Sequence, residues 1–245
     1  MADTATTQSD PLFPTHGNLD LFEHTPLKKS RTWFTPDVVL LTGPKGERYV
    51  LKDFSKRPGL ARHTWCRSAV ARETAAYKRL ESVAGVPRLV EMLSPDSFIM
   101  EFVEGTSLPR RKSAAMIPPA FFDELAGMIM KMHNCGVVHG DLRRKNMLIG
   151  TNGKPCIIDF ETALIDGRNP VRHRVFNTVA QIDQITALKI KARYFPSELT
   201  SGEKHILHDV PLHLRIGRFL RKNVYGLVSP KQIRRRARKK HAANR

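Results

Sequence analysis

The stretch from His139 to Phe160, HGDLRRKNMLIGTNGKPCIIDF, constrains this chain more than any other. Asp141 lies two residues after His139, Asn146 five after Asp141, and Asp159 thirteen after Asn146. Met147, Leu148 and Ile149 on one side and Cys156, Ile157 and Ile158 on the other are short apolar runs. Gly150, Thr151, Asn152 and Gly153 lie between them, so the segment reads as two buried strands joined by a turn. Such a hairpin sets Asp141, Asn146 and Asp159 around one small volume, with two carboxylates and an amide oxygen facing a polar ligand. Oxygen donors of this kind suit magnesium and the phosphates it accompanies.

With 245 residues and 41% hydrophobic content the chain can bury a real core, as one domain or a two-lobed one. It has no apolar run of about eighteen residues, which speaks against a spanning helix. Its start, MADTATTQSD, lacks the charged and apolar regions of a signal peptide, and a cytoplasmic protein is expected. Cys66, Cys135 and Cys156 show no CxxC spacing and are expected to be buried and reduced, not disulfide-bonded or zinc-bound. The net charge of +18 is concentrated: residues 210–245 carry twelve Lys or Arg and no Asp or Glu. Such a tail implies an anionic partner, namely RNA or another nucleic acid, an anionic membrane surface, or an acidic substrate.

Taken in order, residues 1–30 are rich in Thr, Ser, Pro and Asp without period and read as a disordered or loosely docked arm. Val38 to Leu41 and Arg48 to Lys52 are strands joined by Thr42, Gly43, Pro44, Lys45 and Gly46. Lys52 is either a solvated lysine on an edge strand or a cation for phosphate oxygens. Thr64 to Ser82 has apolar residues at helical spacing. Glu73, in its middle, pairs either with Arg72 or Lys78 on the surface or with Lys52. Pro87 to Val90 and Ser97 to Val103 are further apolar runs. The end of the second is a natural edge for an adenine ring, through the backbone of Glu101 and Val103. Residues 106–117 read as a polar, basic connector. Pro118 and Pro119 open a helix with Phe122, Leu125, Ala126, Ile129, Met130 and His133 on one face, and Gly136 lies past its end. An amphipathic helix over 175–195 stops at Pro196. On it Asp183 is either a brace for the 139–141 loop or a solvated carboxylate, and solvation is the expectation. Residues 212–228 read as a basic helix, and RRRARKK closes the chain; no internal repeat is present.

Phosphoryl transfer from a nucleotide needs a cation on the phosphates, a metal bridging them, ligands for that metal, and a carboxylate that orients the attacking hydroxyl. Lys52 suits the first, Asn146 and Asp159 the metal, and Asp141 the hydroxyl's proton. Lys52 on a strand, Glu73 on the following helix, the MEFVEG strand end, HGDLRRKN and IIDFE together resemble the protein-kinase-like superfamily over about residues 37–195. The resemblance implies an α+β, two-lobed protein-kinase-like fold with a small β-rich N-lobe and a short, mainly helical C-lobe. It implies ATP and Mg2+ as cofactors, Asp141 as the catalytic carboxylate, Asn146 and Asp159 as metal ligands, and Lys52 paired with Glu73. The organisation expected is an arm over 1–30, an N-lobe over 31–105, a C-lobe over 106–209, and a basic helix and tail over 210–245.

The HGDL form and short C-lobe look most like the atypical branches, which include RIO-type kinases and the bacterial kinases of the lipopolysaccharide inner core (Kdo-type). Three features depart from the wider family pattern. No glycine-rich loop precedes Lys52, Glu161 stands where a glycine usually follows Asp-Phe, and no Ala-Pro-Glu segment follows. The expected function is an ATP- and magnesium-dependent kinase moving the γ-phosphate to a hydroxyl, of the RIO-like serine/threonine type. One alternative is a kinase for a lipid-linked sugar hydroxyl, peripheral on the inner face of the membrane. Another is a pseudokinase scaffold binding nucleic acid.

Overall fold

The computed structural model describes residues 13–209 except 31, 111–114, 119 and 168. They divide into two units, the first holding the described residues of 1–74 and 87–103, the second those of 75–86 and 104–245. The basic tail and the helix expected over 212–228 lie outside the described residues.

The first unit is built on an antiparallel sheet of order β1-β2-β3-β5-β4. Its strands are β1 (Glu23–Lys28), β2 (Asp37–Thr42), β3 (Arg48–Asp53), β4 (Leu89–Ser94) and β5 (Ser97–Glu101). Period-two alternation sorts the side chains. Leu41, Tyr49 and Ile99 pack with Phe22 on one face. Alternation puts Val50, Lys52, Phe98 and Met100 on the other, where the register sets Lys52 opposite Phe98. Lys52 therefore lies on a central strand and is 6% exposed, which overturns the solvated edge-strand reading.

The arm expected over 1–30 fails from Leu19 onward. A 3-10 turn (Leu19–Leu21) leads through buried Phe22 into β1, which pairs with β2. Every β1 residue is exposed and Pro26 sits within it, so no apolar alternation marks the strand. A proline without an N–H is tolerated at a sheet edge, and the register shifts between Pro26 and Lys28.

After β3 the chain is helical from Gly59 to Arg79, earlier than the expected start at Thr64. It runs as α1 (Gly59–Ala61), a π turn (Arg62–Cys66) and α2 (Arg67–Arg79). Ala69, Val70, Glu73, Ala76, Tyr77 and Leu80 are buried at spacings of one, three and four, as a helix with one covered face requires. Arg62 and Arg67 both bond the carboxylate of Asp96 in the β4–β5 turn, at 2.9 and 3.0 Å.

In the second unit β6 (Gly105–Ser107) pairs with β8 (Met147–Gly150), which pairs with β9 (Pro155–Ile157). The expected connector thus holds a strand, and Leu108 and Ile117 are buried anchors within it. Helix α3 (Phe121–Asn134) buries Phe121, Phe122, Leu125, Met128, Ile129 and Met132. That differs from the expected face, because Met130 is 57% exposed and Ala126 is exposed as well. The helix is apolar around most of its circumference, so the sequence allows two stripes. Gly136, at φ +72°, turns the chain out of α3 into β7 (Val137–Val138), which pairs with β10 (Leu164–Ile165). The long helix α4 (Pro170–Tyr194) begins five residues before the expected Val175, because Asn169 caps it from the Val171 and Arg172 N–H groups and Pro170 fits the first turn. Helix α5 (Ser201–His208) opens on a capping box between Thr200 and Glu203, and Lys191 ties it to α4 and α3 through Glu203 and Asp123. Cys66 is buried, Cys135 and Cys156 are half-buried, and all three are free thiols. Among the described residues, no helix is long and apolar enough to cross a membrane.

Candidate active site

In the first unit, Lys52 Nζ lies 2.6 Å from Glu73 Oε1, with side chains 8% and 2% exposed. β3 and α2 each contribute one partner, so the pair replaces the surface pairing of Glu73 with Arg72 or Lys78. At the end of β5 the ladder is interrupted. The Glu101 N–H bonds the Arg88 carbonyl, but the Arg88 N–H goes to Glu101 Oε2 at 3.0 Å and not to the Glu101 carbonyl. Arg88 Nε holds the same carboxylate. Among the described residues, the Glu101 carbonyl and the Val103 N–H therefore stand outside the sheet ladder, as an acceptor and a donor two residues apart.

In the second unit a closed ring of hydrogen bonds joins Asp141 and Asn146 to His139 and to Ile158, the residue before Asp159. Asn146 Nδ2 donates to the Asp141 carbonyl at 3.1 Å, and the Ile158 N–H donates to the Asn146 carbonyl at 3.0 Å. His139 Nε2 bonds the Ile158 carbonyl at 3.1 Å, and the Asp141 N–H donates to His139 Nδ1 at 3.2 Å. Nδ1 accepts, so the ring proton belongs on Nε2. His139 is fully buried against Phe160, with centroids 4.8 Å apart, and its carbonyl accepts from Thr162 Oγ1 at 3.0 Å. Gly140 permits the tight path, since it has φ +74° and a Cβ there would sit 2.7 Å from the Thr162 carbonyl oxygen.

Asp183 on α4 supports this loop from beneath. It is 1% exposed; its Oδ2 accepts the His139 N–H at 2.7 Å, and both oxygens accept the Gly140 N–H at 3.2 Å. The expectation of a solvated Asp183 is therefore wrong, and the brace is what forms. A helix that buries Ile182, Ile185 and Ile190 presents Asp183 to the same interior, and two otherwise unmatched backbone N–H groups take its charge.

Asp159 has φ +73°, the one non-glycine residue at positive φ among the described residues. That conformation costs about 1 kcal/mol or more and marks a position fixed by its surroundings. Asn146 is 2% exposed, and because its amide nitrogen is committed to Asp141, its oxygen remains as the donor to a cation. An amide oxygen and a carboxylate fit magnesium, which takes few protein ligands and keeps water and phosphate oxygens for the rest. Among the described residues, no group of three or more His, Cys, Asp or Glu is placed to hold a metal ion.

Cations complete the loop. Arg143 Nη2 contacts Asp141 Oδ2, and Lys145 Nζ lies 3.8 Å from Asp159 Oδ2. Neither cation, nor the structural part of His139, was assigned a role from the sequence. The run Arg143, Arg144, Lys145 beside Asp141 was the available signal.

The sequence pattern of the RIO domain family matches residues 45–180, more than half of the chain, a span that includes Lys52, Glu73, Asp141, Asn146 and Asp159. The EKC/KEOPS complex subunit BUD32 of Encephalitozoon cuniculi is 31% identical over 99 residues, covering 40% of this chain and 49% of that protein. A probable bifunctional tRNA threonylcarbamoyladenosine biosynthesis protein of Methanosarcina mazei is 30% identical over 134 residues, 53% of this chain and 23% of that protein. The putative CBL-interacting protein kinase 13 of Oryza sativa subsp. japonica is 26% identical over 160 residues, 60% of this chain and 30% of that protein. The chain spans about half the length of these relatives or less. A sheet-rich N-terminal unit, a mainly helical second unit and a family pattern covering both make this chain a member of the RIO domain family, within the atypical branch of the protein-kinase-like superfamily.

Proposed function

We propose that the chain is an ATP- and magnesium-dependent phosphotransferase that moves the γ-phosphate to a hydroxyl acceptor, in the manner of a RIO-like serine/threonine kinase. The observation that carries the reading is the buried Lys52–Glu73 pair. A buried ion pair is poor value for stability, since apolar residues of the same volume hold a core as well or better. Its retention favours a cation held ready for a ligand's phosphates over a vestigial scaffold. Lys52 neutralises phosphate oxygens, and the Glu101 carbonyl and Val103 N–H bind the adenine edge. Asn146 and Asp159 hold magnesium, which supplies charge neutralisation on the phosphates. Asp141 accepts the proton of the attacking hydroxyl, so the work of the site is positioning and charge stabilisation.

The test is thermal stabilisation by ATP with and without magnesium, followed by turnover of labelled ATP. A magnesium-dependent shift lost in Asp159→Ala, and turnover lost in Asp141→Asn, are expected. No shift in the wild type, or unchanged turnover in Asp141→Asn, would reject the reading. A second reading is favoured by the name of the Methanosarcina mazei relative: a role beside tRNA modification, with the basic tail of 210–245 on RNA. Binding to RNA against binding to anionic vesicles, with and without residues 210–245, separates this from attachment at a membrane surface.

A further inference from the structure

Arg62 and Arg67 lie five residues apart, a spacing that on a regular α-helix sets two side chains about 140° from each other. They nevertheless meet on one carboxylate, with Arg62 Nε 2.9 Å from Asp96 Oδ2 and Arg67 Nε 3.0 Å from Asp96 Oδ1. The π turn between α1 and α2 explains the convergence. The Arg67 N–H reaches back to the Arg62 carbonyl, five residues earlier, and this wider turn brings the two side chains to one side.

Asp96 is itself fixed to the strand that carries Lys52. Its carbonyl accepts the Phe54 N–H at 2.9 Å, its own N–H donates to Ser94 Oγ at 3.1 Å, and Arg62 Nη1 donates to the Ser55 carbonyl at 3.2 Å. Phe54 and Ser55 are the second and third residues after Lys52. The Asp96 side chain is 5% exposed, against 34% and 37% for the two arginines, so the carboxylate is the fixed centre of the cluster. Lys52 and the start of α2 are thus tied to one anchor, and Glu73 lies six residues beyond Arg67 on the same helix. A π turn is a rare way to wind a helix and is found mostly as a single turn at functional sites. Winding these residues as α-helix would turn everything after Arg67 by one residue's rotation, about 100°, and carry Glu73 off Lys52.

We infer that Asp96 is a positioning residue: by gathering Arg62 and Arg67 it holds the turn in its π form, and that form sets the register in which Glu73 meets Lys52. Under the phosphotransferase reading, on which this inference rests, Asp96 touches no reactant and acts on the nucleotide through the Lys52–Glu73 pair.

The test titrates the full chain with magnesium and adenylyl imidodiphosphate, a non-hydrolysable ATP analogue. Asp96→Asn should weaken binding about tenfold, as when only about one tenth of the molecules keep the competent register. Asp96→Glu, which keeps the charge, should weaken it less. Deleting Thr64 from Asp96→Asn removes the extra residue that the π turn accommodates, lets an α-helix deliver Glu73 in its native facing, and should restore affinity to within about twofold. Leu41→Val lowers the stability of the same unit from the opposite face of the sheet and should leave affinity unchanged. Of the two tryptophans, Trp65 lies within the turn, against Phe34 and the Arg72 guanidinium. In a Trp33→Phe background its emission should shift in Asp96→Asn without any nucleotide. Unchanged affinity in Asp96→Asn overturns the inference, and so does equal weakening by Leu41→Val. A folded Thr64-deleted chain that recovers no affinity overturns it too; where that chain does not fold, an unshifted Trp65 emission does so. Failure of the wild type to bind the analogue would reject the phosphotransferase reading instead, and the Trp65 measurement, which needs no nucleotide, keeps the two failures apart.

Discussion

Replacing Asp183 by Asn is the sharpest test of how the 139–141 loop is held. The substitution preserves volume and changes one carboxylate oxygen into an NH2 group. In the native fold Oδ2 takes the His139 N–H at 2.7 Å and shares the Gly140 N–H with Oδ1. An amide keeps one acceptor at most and points a donor at a backbone donor. Hydrogen bonds to a charged, buried acceptor contribute about 1.5–3 kcal/mol each, and an unmatched buried N–H adds a penalty of about 1–3 kcal/mol. Among the described residues His133 Nε2 is buried with no hydrogen-bond partner and lies 3.7 Å from Asp183 Oδ2, so the substitution also changes the group it faces. The expected loss is about 2–4 kcal/mol, a large share of the roughly 5–15 kcal/mol that holds a typical protein. With a urea dependence of about 1–3 kcal/mol per molar, the unfolding midpoint followed by circular dichroism should fall by about 1 M or more. Trp33 and Trp65 both belong to the first unit, so their fluorescence reports on that unit separately. A loss below about 0.5 kcal/mol, the size of an ordinary surface change, would refute the brace.

Glu73→Ala leaves Lys52 as a buried charge without its carboxylate and should cost about 3–5 kcal/mol in thermal melts. The double change Lys52→Met with Glu73→Leu should recover most of that stability yet abolish any shift produced by ATP and magnesium. Gly140→Ala combines positive φ with a Cβ 2.7 Å from the Thr162 carbonyl oxygen, and a loss of about 2–3 kcal/mol in urea unfolding is expected; a neutral result would mean that the loop relaxes freely. Burial works to raise the Asp96 carboxyl, but the Arg67 hydrogen bond and the charges of Arg62 and Arg67 outweigh it and hold the group below its ordinary range. A carboxyl depressed in the fold contributes stability above its unfolded pKa, about 3.9, and loses it as pH falls through the lower folded value. Urea midpoints of Asp96→Asn should therefore be lower than wild type at pH 7 and converge on it below about pH 4. A constant gap down to pH 2 would exclude this carboxyl as a source of acid sensitivity.

The parts of the fold legible in the sequence were those where periodicity and chemistry coincide. The β8–β9 hairpin was visible because two apolar runs flank a turn of Gly150, Thr151, Asn152 and Gly153, and β2–β3 for a similar reason. β1 was hidden because an edge strand with six exposed residues has no apolar face to alternate. The buried face of α3 was misdrawn because the helix carries more apolar residues than one face can hold. Asp183 illustrates a different limit: a carboxylate on an amphipathic helix reads as solvated, and only the path of the 139–141 loop supplies the two N–H groups that make its burial favourable. Arg143 and Lys145 were plain in the sequence but carried no assignment, because a run of three cations does not reveal that the middle one is used for packing and its neighbours face the two carboxylates.

The ring through His139, Asp141, Asn146 and Ile158 explains why these two kinds of legibility differ. Catalysis by positioning requires reacting groups held to within about 0.5 Å, and side chains on a loop achieve that only when neighbouring bonds fix them. Here each of the four residues receives one bond and gives another, so Asp141 and Asn146 are located by a closed circuit as well as by the β8–β9 hairpin. Such a circuit tolerates few residue types, and it leaves a fixed spacing in the sequence. Arg143 and Lys145 lie on the same loop but outside the circuit, with exposed side chains that the ring does not fix. The ring is therefore written into a rigid spacing, whereas Arg143 and Lys145 can change without disturbing it.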